Sequence, residues 1–186
     1  MDKVKIKVKT AAEKLPVTLE ELRANLRLTS SALDSFLLQY LTNAVATAEN
    51  YTGRIFMPTT LLAYLDSYPE DGELIITKGP VETITAIKYF KEGDSEATTV
   101  ASTSYQLDNI EIDARLKFGV ILDPDPARLN AIEIEYVGGW ASAELVPRSI
   151  KDAIILMASE RYMNPVSDGI LPQARYLLND YKNKRF

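Results

Sequence analysis

Residues 31–53 read SALDSFLLQYLTNAVATAENYTG, and this stretch decides the fold class of the chain. Ser31 supplies a helix start signal, and Gly53 supplies a stop because glycine readily adopts the left-handed conformation that ends many helices. Between them, apolar side chains recur at steps of three and four residues, which places them on one face of an α-helix. They are Leu33, Phe36, Leu37, Tyr40, Leu41, Ala44, Val45, Ala48 and Tyr51. The pattern predicts a long amphipathic helix that packs against other helices.

The flanking sequence predicts three further helices. Thr18 and Glu21 have the spacing of a capping box, which predicts a short helix over residues 17–28. Residues 147–162 begin with a proline, which suits the first helical position, and continue as an apolar stripe. A last amphipathic segment spans 172–181. The sequence therefore predicts a bundle of about four helices.

Residues 59–145 change to short β-type segments separated by turns rich in Gly, Pro and Asp. The six candidate strands are 61–65, 74–76, 84–90, 105–107, 118–122 and 132–137. In the last of these, isoleucine and glutamate alternate, which predicts one face on a core and carboxylates facing water. These signals predict a small antiparallel β lobe inserted between the helices.

The N-terminus has a different alternation, of lysines with apolar residues, which predicts a strand with one cationic face. The lysines are Lys3, Lys5, Lys7 and Lys9. One interpretation is an edge strand whose lysines deter aggregation. The other is an arm that adds to the sheet of a neighbouring subunit or contacts a polyanion.

The predicted fold class is α+β: a helical bundle, an inserted antiparallel β lobe and an N-terminal strand arm. We expect a single domain over 1–186. Its segments are the strand arm at 1–14, a helical part at 15–58, the inserted lobe at 59–145 and a helical C-terminal part at 146–186.

The composition excludes many kinds of chemistry. The chain has 186 residues with no Cys and no His, so it has no disulfide, thiolate nucleophile, Cys/His zinc site or imidazole base. Carboxylate pairs such as Glu133 and Glu135 remain, but we expect them on solvated strand faces without an apolar pocket. No phosphate-binding glycine loop, signal peptide or apolar run of the roughly 20 residues that cross a bilayer is found. We expect a soluble, non-enzymatic protein without cofactor, metal or membrane partner.

Charge is unevenly distributed along the chain. The net charge is −5, but residues 67–145 hold six basic and fifteen acidic residues between two basic ends. Patches of opposite sign can steer copies of one chain into head-to-tail contact. An acidic average also disfavours tight binding to DNA.

Several segments, in this order, resemble the head-to-tail connector (adaptor) proteins of tailed bacteriophages, prophages and related gene transfer particles. They are PVTLEEL at 16–22, NLRL at 25–28, ATAENYTGR at 46–54, KGPV at 78–81, IKYF at 87–90, YVGGW at 136–140 and VPRSIKDAI at 146–154. The matches cover most of the chain. Residues 165–186 are the weakest part, where the family varies.

This resemblance implies a structural virion protein. Such proteins form a ring, usually of twelve subunits, under the portal, and link the DNA-filled head to the tail. The implied partners are other copies of the chain, the portal protein, the next connector or tail-completion protein, and packaged DNA that passes without sequence-specific binding. The implied location is the neck of the virion, with the host cytoplasm as the place of assembly.

The residues expected to contact the portal or a neighbouring subunit lie at the two basic ends. They are Leu177, Leu178, Tyr181, Lys182, Arg185, Lys3, Lys5 and Lys7. Three other functions remain open. The chain could be another neck or tail-completion protein, a His-free carboxylate hydrolase with a deep acidic cleft, or a small nucleic-acid-binding module that uses the lysine arm.

Overall fold

The computed structural model describes residues 4–167 and 169–183, and within them the chain forms four α-helices and eight β-strands. The α+β class predicted from the sequence is confirmed. The chain separates into two compact units. One contains Glu13–Met57 and the described residues from Trp140 onward, and the other contains Pro58–Gly139 and the described residues up to Ala12. The single connector domain over 1–186 stays a prediction.

The first unit is the helical bundle. Its helices are α1 Leu19–Leu26, α2 Asp34–Thr52, α3 Arg148–Met163 and α4 Pro172–Leu178. Helix α3 packs against each of the other three. The core is formed by fully buried side chains that include Leu37, Leu41, Ala48, Ile150 and Ile154. The α2 periodicity therefore predicted most of the core correctly, but two of its residues, Leu33 and Phe36, are 39% and 55% exposed.

Local signals set the helix ends. The backbone N–H of Glu21 donates to Thr18 Oγ1 at 3.1 Å, and the backbone N–H of Thr18 donates to Glu21 Oε2 at 2.7 Å. These two bonds complete the predicted capping box. At the end of α2, Gly53 adopts φ 69°, a left-handed conformation that costs glycine little.

The second unit is the β lobe. Its strands are β1 Lys5–Thr10, β2 Thr59–Leu65, β3 Glu73–Ile76, β4 Val81–Tyr89, β5 Thr98–Thr99, β6 Tyr105–Asp108, β7 Ala114–Phe118 and β8 Ile132–Gly138. They form an antiparallel five-stranded sheet in the order β1-β2-β8-β4-β5 and an antiparallel three-stranded sheet in the order β3-β7-β6. The central strands β2 and β8 bury every second residue, so each contributes one face to the core.

The lobe differs from the prediction at two strands. The prediction of a strand over 118–122 is wrong. Strand β7 ends at Phe118, and Ile121 is 87% exposed. The strand lies over Ala114–Phe118, where buried and exposed residues alternate. The two-residue strand β5 was not predicted, because two threonines are too short to show a period of two.

The N-terminal strand pairs with its own chain. β1 is the edge strand of the five-stranded sheet, with Lys5 opposite Tyr64 and Lys7 opposite Leu62 on β2. The edge-strand interpretation therefore describes its position. Lys5–Thr10 are part of the lobe rather than a separate arm.

Candidate assembly interface

The C-terminal segment, residues 172–183, packs into the helical bundle. Ala174 and Leu178 have no exposed surface, and Leu177 is half-buried. Leu178 is thus a core residue in this packing and offers no surface to a partner. Leu177, Tyr181 and Lys182 retain exposed surface. The expectation that this segment contacts the portal or a neighbour stays a prediction, and Arg185 lies outside the described residues.

Polar contacts hold the C-terminal segment to the end of α2. Arg54 Nε donates to the carbonyl oxygen of Tyr181 at 3.0 Å, and Arg54 is only 5% exposed. The N–H of Asn183 donates to the carbonyl oxygen of Thr52 at 2.8 Å. Ser149 Oγ donates to the Tyr181 hydroxyl at 3.0 Å, which adds a bond to α3. The path of the segment is therefore fixed by the C-terminal end of α2, by Arg54 after it and by Ser149 of α3.

A second set of contacts lies beside this anchor. The Tyr51 hydroxyl donates to Asn179 Oδ1 at 2.7 Å. Lys182 is exposed, and its Nζ lies 4.9 Å from the centroid of the Tyr51 ring, within the range of a cation–π contact. Lys182 thus offers a positive charge at a surface whose position is set by α2.

These anchor residues were not predicted as a site. Glu49 Oε1 accepts from the backbone N–H of Phe56 at 2.8 Å, so Glu49 stabilises the turn after α2, whereas Arg54 bonds to the C-terminal segment. They fall within ATAENYTGR, one of the segments that carry the family resemblance. One sequence signal could have identified them. A charged residue lies on each side of the helix-ending glycine, in a stretch that is otherwise uncharged.

The lysines of β1 are partly neutralised within the lobe. Lys5 Nζ lies 2.9 Å from Asp66 Oδ2, and Lys9 Nζ lies 2.8 Å from Glu135 Oε2. Lys7, between them along the strand, is exposed. Lys3 lies outside the described residues. The strand has the predicted cationic face, but two of its lysines pair with acidic residues of the same lobe, Asp66 after β2 and Glu135 on β8.

These pairs change the ionisation of the acidic partners. The N–H of Asn130 donates to Asp66 Oδ1 at 2.6 Å, and together with Lys5 it lowers the pKa of Asp66 below its usual 3.8. Glu133 and Glu135 on β8 are half-buried, not solvated as the alternation predicted. The reason is cross-strand pairing, because Glu135 accepts from Lys9 and Glu133 from the Tyr64 hydroxyl.

Acidic residues of the three-stranded sheet also form pairs. Arg115 Nη2 lies 2.7 Å from Asp108 Oδ2, and Lys117 Nζ lies 2.9 Å from Glu73 Oε1. The paired cations lower the pKa of Asp108 and of Glu73. A general acid at neutral pH needs a raised pKa, so these shifts run opposite to that role.

Two further observations describe the part of the chain that the structure covers. Among residues 4–167 and 169–183, no three carboxylate, Cys or His side chains come together as potential metal ligands. In the same residues, none of the helices combines the length and hydropathy of a membrane span.

Solved structures define the class of the fold. A chain in "Neck of empty GTA particle computed with C6 symmetry" aligns with a TM-score of 0.80 and 23% identity, over 98% of this chain and 97% of that chain. A chain in "Virion of native gene transfer agent (GTA) particle" gives 0.80 and 24%, over 97% and 96%. A chain in "Neck of native GTA particle computed with C12 symmetry" gives 0.74 and 21%, over 98% and 97%. The protein shares the complete fold of these chains.

Sequence comparison gives the family. The Phage gp6-like head-tail connector protein family matches residues 16–118, which include α1, α2 and strands β2 to β7. A comparison with curated protein sequences gave no match. The chain belongs to the Phage gp6-like head-tail connector protein family and is a structural connector protein.

Proposed function

We propose that copies of this chain form a ring, of twelve subunits, beneath the portal of a phage-like particle. The ring links the DNA-filled head to the tail. The main support for this proposal is that the chain belongs to the head-tail connector family. Neighbours of the same fold come from necks computed with C6 and C12 symmetry, which supports a closed ring of identical subunits.

The proposed partners follow from this position. The portal protein lies on the head side of the ring, and the next connector or tail-completion protein lies on the tail side. Packaged DNA passes through the centre without sequence-specific contacts, in keeping with a net charge of −5. The chain would assemble in the host cytoplasm and remain in the neck of the virion.

We further propose that the two basic surfaces contact partners. At the C-terminal segment these are Leu177, Tyr181, Lys182 and Arg185, and on β1 they are Lys5 and Lys7, with Lys3 before it. Lys7 and Lys182 are exposed and lie on firmly packed elements, so each presents a charge at a defined place. The whole of 1–186 would act as one connector domain.

The proposed role requires no catalysis. Ion pairs occupy Asp66, Glu73, Asp108 and Glu135, and the pKa of the first three is lowered, which suits surface electrostatics better than proton transfer.

A deletion in a particle-producing strain tests the proposal. Without this chain, the strain should make DNA-filled heads that carry no tails, because the joining ring is missing. A plasmid copy of the full chain should restore tailed particles. The result that would overturn the proposal is a normal yield of complete tailed particles from the deletion strain.

A further inference from the structure

The exposed surface of α2 differs from that of the other long helix because it carries no charge. We call this surface the α2 outer face; it includes Phe36, Leu38, Gln39, Asn43, Ala46 and Asn50, all exposed. The charged residues of α2 are Asp34 and Glu49. Asp34 pairs with Arg23 at 3.5 Å, and Glu49 accepts from the N–H of Phe56. Neither is among the exposed residues.

The contrast with α3 shows that this is not a property of the whole bundle. The outward side of α3 carries charges of both signs, on exposed Arg148 and on half-buried Lys151, Asp152, Glu160 and Arg161. A helix face that stays in water usually carries such residues. Helix α2 has only two charged residues, Asp34 and Glu49, and both are half-buried. On α2, Phe36 is 55% exposed and Leu38 is 46% exposed, and amide side chains take the place of charged ones.

This composition is that of a protein interface. Interface cores are depleted in charged residues and enriched in aromatic ones, and Gln and Asn can both donate and accept hydrogen bonds across a contact. None of the exposed residues from Thr29 to Asn50 is charged, so the uncharged surface extends into the loop before α2.

We infer that the α2 outer face binds a second copy of this chain in the assembled ring; the inference rests on the proposed connector function. Each copy has a net charge of −5, so copies repel each other. An uncharged face is where two like-charged copies approach at least electrostatic cost. DNA would require cations at this face, and a strongly charged partner would require complementary charges.

The size of the face indicates how strong the contact can be. From Ser35 to Asn50 it is about 22 Å long, and with a width of about 10 Å it offers roughly 200 Å². A standard interface buries about 800 Å² on each partner, so the face supplies about a quarter of one. The contact is therefore too small to hold two free copies alone, and it acts together with other surfaces once copies meet on the particle.

Chemical crosslinking identifies the molecule that contacts the α2 outer face. The chain has no native Cys, so Asn43→Cys places one label on the face. The full chain, labelled with a benzophenone maleimide, is added to tailless DNA-filled heads and irradiated. We expect a product of twice the 20.8 kDa subunit mass. The control is Gln106→Cys, at an exposed position of β6. It should give at least fivefold less of the two-copy product.

Two crosslinking results would overturn the inference. The first is a product from Asn43→Cys that joins only a different virion protein or DNA. The second is an equal yield of the two-copy product from Gln106→Cys, which would mean random encounter.

A matched pair of isosteric substitutions tests the absence of charge itself. Gln39→Glu adds one negative charge to the α2 outer face, and Gln106→Glu adds the same charge to an exposed site on the β lobe. Burying an unpaired carboxylate is costly, so ring incorporation of Gln39→Glu should fall about tenfold or more. Gln106→Glu should stay within about twofold of the wild type, and both variants should keep the wild-type melting temperature.

The outcomes separate this inference from the proposed function. If the wild type forms a ring on heads and Gln39→Glu joins it equally well, the α2 outer face is not the contact, and the connector function stands. If the wild type itself forms no ring on heads, the proposed function fails and the inference fails with it.

Discussion

Arg54 is a charged side chain placed almost entirely inside the helical unit. It follows Gly53 at the end of α2, and its Nε donates to the carbonyl oxygen of Tyr181. The bond connects positions 127 residues apart in the chain. Arg54 is thus one of the residues that fix the position of the C-terminal segment, together with Thr52 and Ser149.

Arg54→Ala should lower the free energy of unfolding of the helical unit by about 1–3 kcal/mol, because the partly buried carbonyl of Tyr181 loses its charged donor. Urea denaturation followed by circular dichroism measures the loss. The control is Arg175→Ala, which removes an exposed arginine from α4 and should change stability by less than about 0.5 kcal/mol. Equal effects from the two variants would show that Arg54 does not anchor the segment.

Among the elements, β1 is the one whose stability depends most visibly on paired charge. It lies at a sheet edge, and Lys5 bonds to both Asp66 and Asn130 on the same lobe. The backbone N–H of Asn130 and the ammonium group of Lys5 favour the ionised form of Asp66, which lowers the pKa of Asp66 from 3.8. The folded state therefore binds a proton at Asp66 less readily than the unfolded state does.

Linkage gives the direction of the pH effect. Stabilisation by Asp66 is fully present above about pH 5, where Asp66 is ionised in the unfolded chain as well, and it is lost as pH falls through the lowered pKa of the folded state. Asp66→Asn should thus be less stable than the wild type at pH 7, and the difference should shrink below pH 3. Denaturation midpoints across this range measure it.

The matched control for Asp66→Asn is Asp94→Asn, in an exposed turn between β4 and β5. It should remain within about 0.5 kcal/mol of the wild type at each pH. A stability difference for Asp66→Asn that is the same at pH 7 and pH 2 would contradict the pairing with Lys5 and Asn130.

The sequence predicted most elements because their signals are local. The capping box of Thr18, the apolar face of α2 and the alternation in β8 each act within about two turns or one strand. The strand predicted over 118–122 failed because its apolar run, which includes Val120 and Ile121, looks like a buried strand. The true strand β7 has the weaker but correct alternation, with Arg115 and Lys117 facing outward.

Two truncations test the position of β7. Leu116 has no exposed surface, so Leu116→Ala should cost about 2–5 kcal/mol of unfolding free energy. Ile121→Ala should cost less than about 0.5 kcal/mol, because Ile121 is 87% exposed. Urea denaturation of the full chain measures both. The reverse order of the two losses would place the strand where the sequence prediction put it.

For the whole molecule, the proposed connector function depends on surfaces that contact other proteins. The order of weak sequence signals predicted the connector family, and the match over residues 16–118 confirms it. Individual contact residues were harder to predict, because exposure depends on distant packing. Leu178 has the same periodicity as an interface leucine but lies in the core, and Arg54 found a partner far along the chain.

The two-unit organisation suits a ring subunit. The helical unit offers the α2 outer face and the anchored C-terminal segment, and the β lobe offers the lysines of β1 and an acidic surface. One heterologous contact per neighbour, repeated around an axis, closes a ring without any symmetric self-contact.

The decisive measurement is a cryo-electron microscopy map of the neck, from particles that carry this chain. We expect twelve copies of this α+β fold in a ring between portal and tail, with the α2 outer face of each copy against its neighbour. A complete neck map in which no density fits this fold would contradict this expectation.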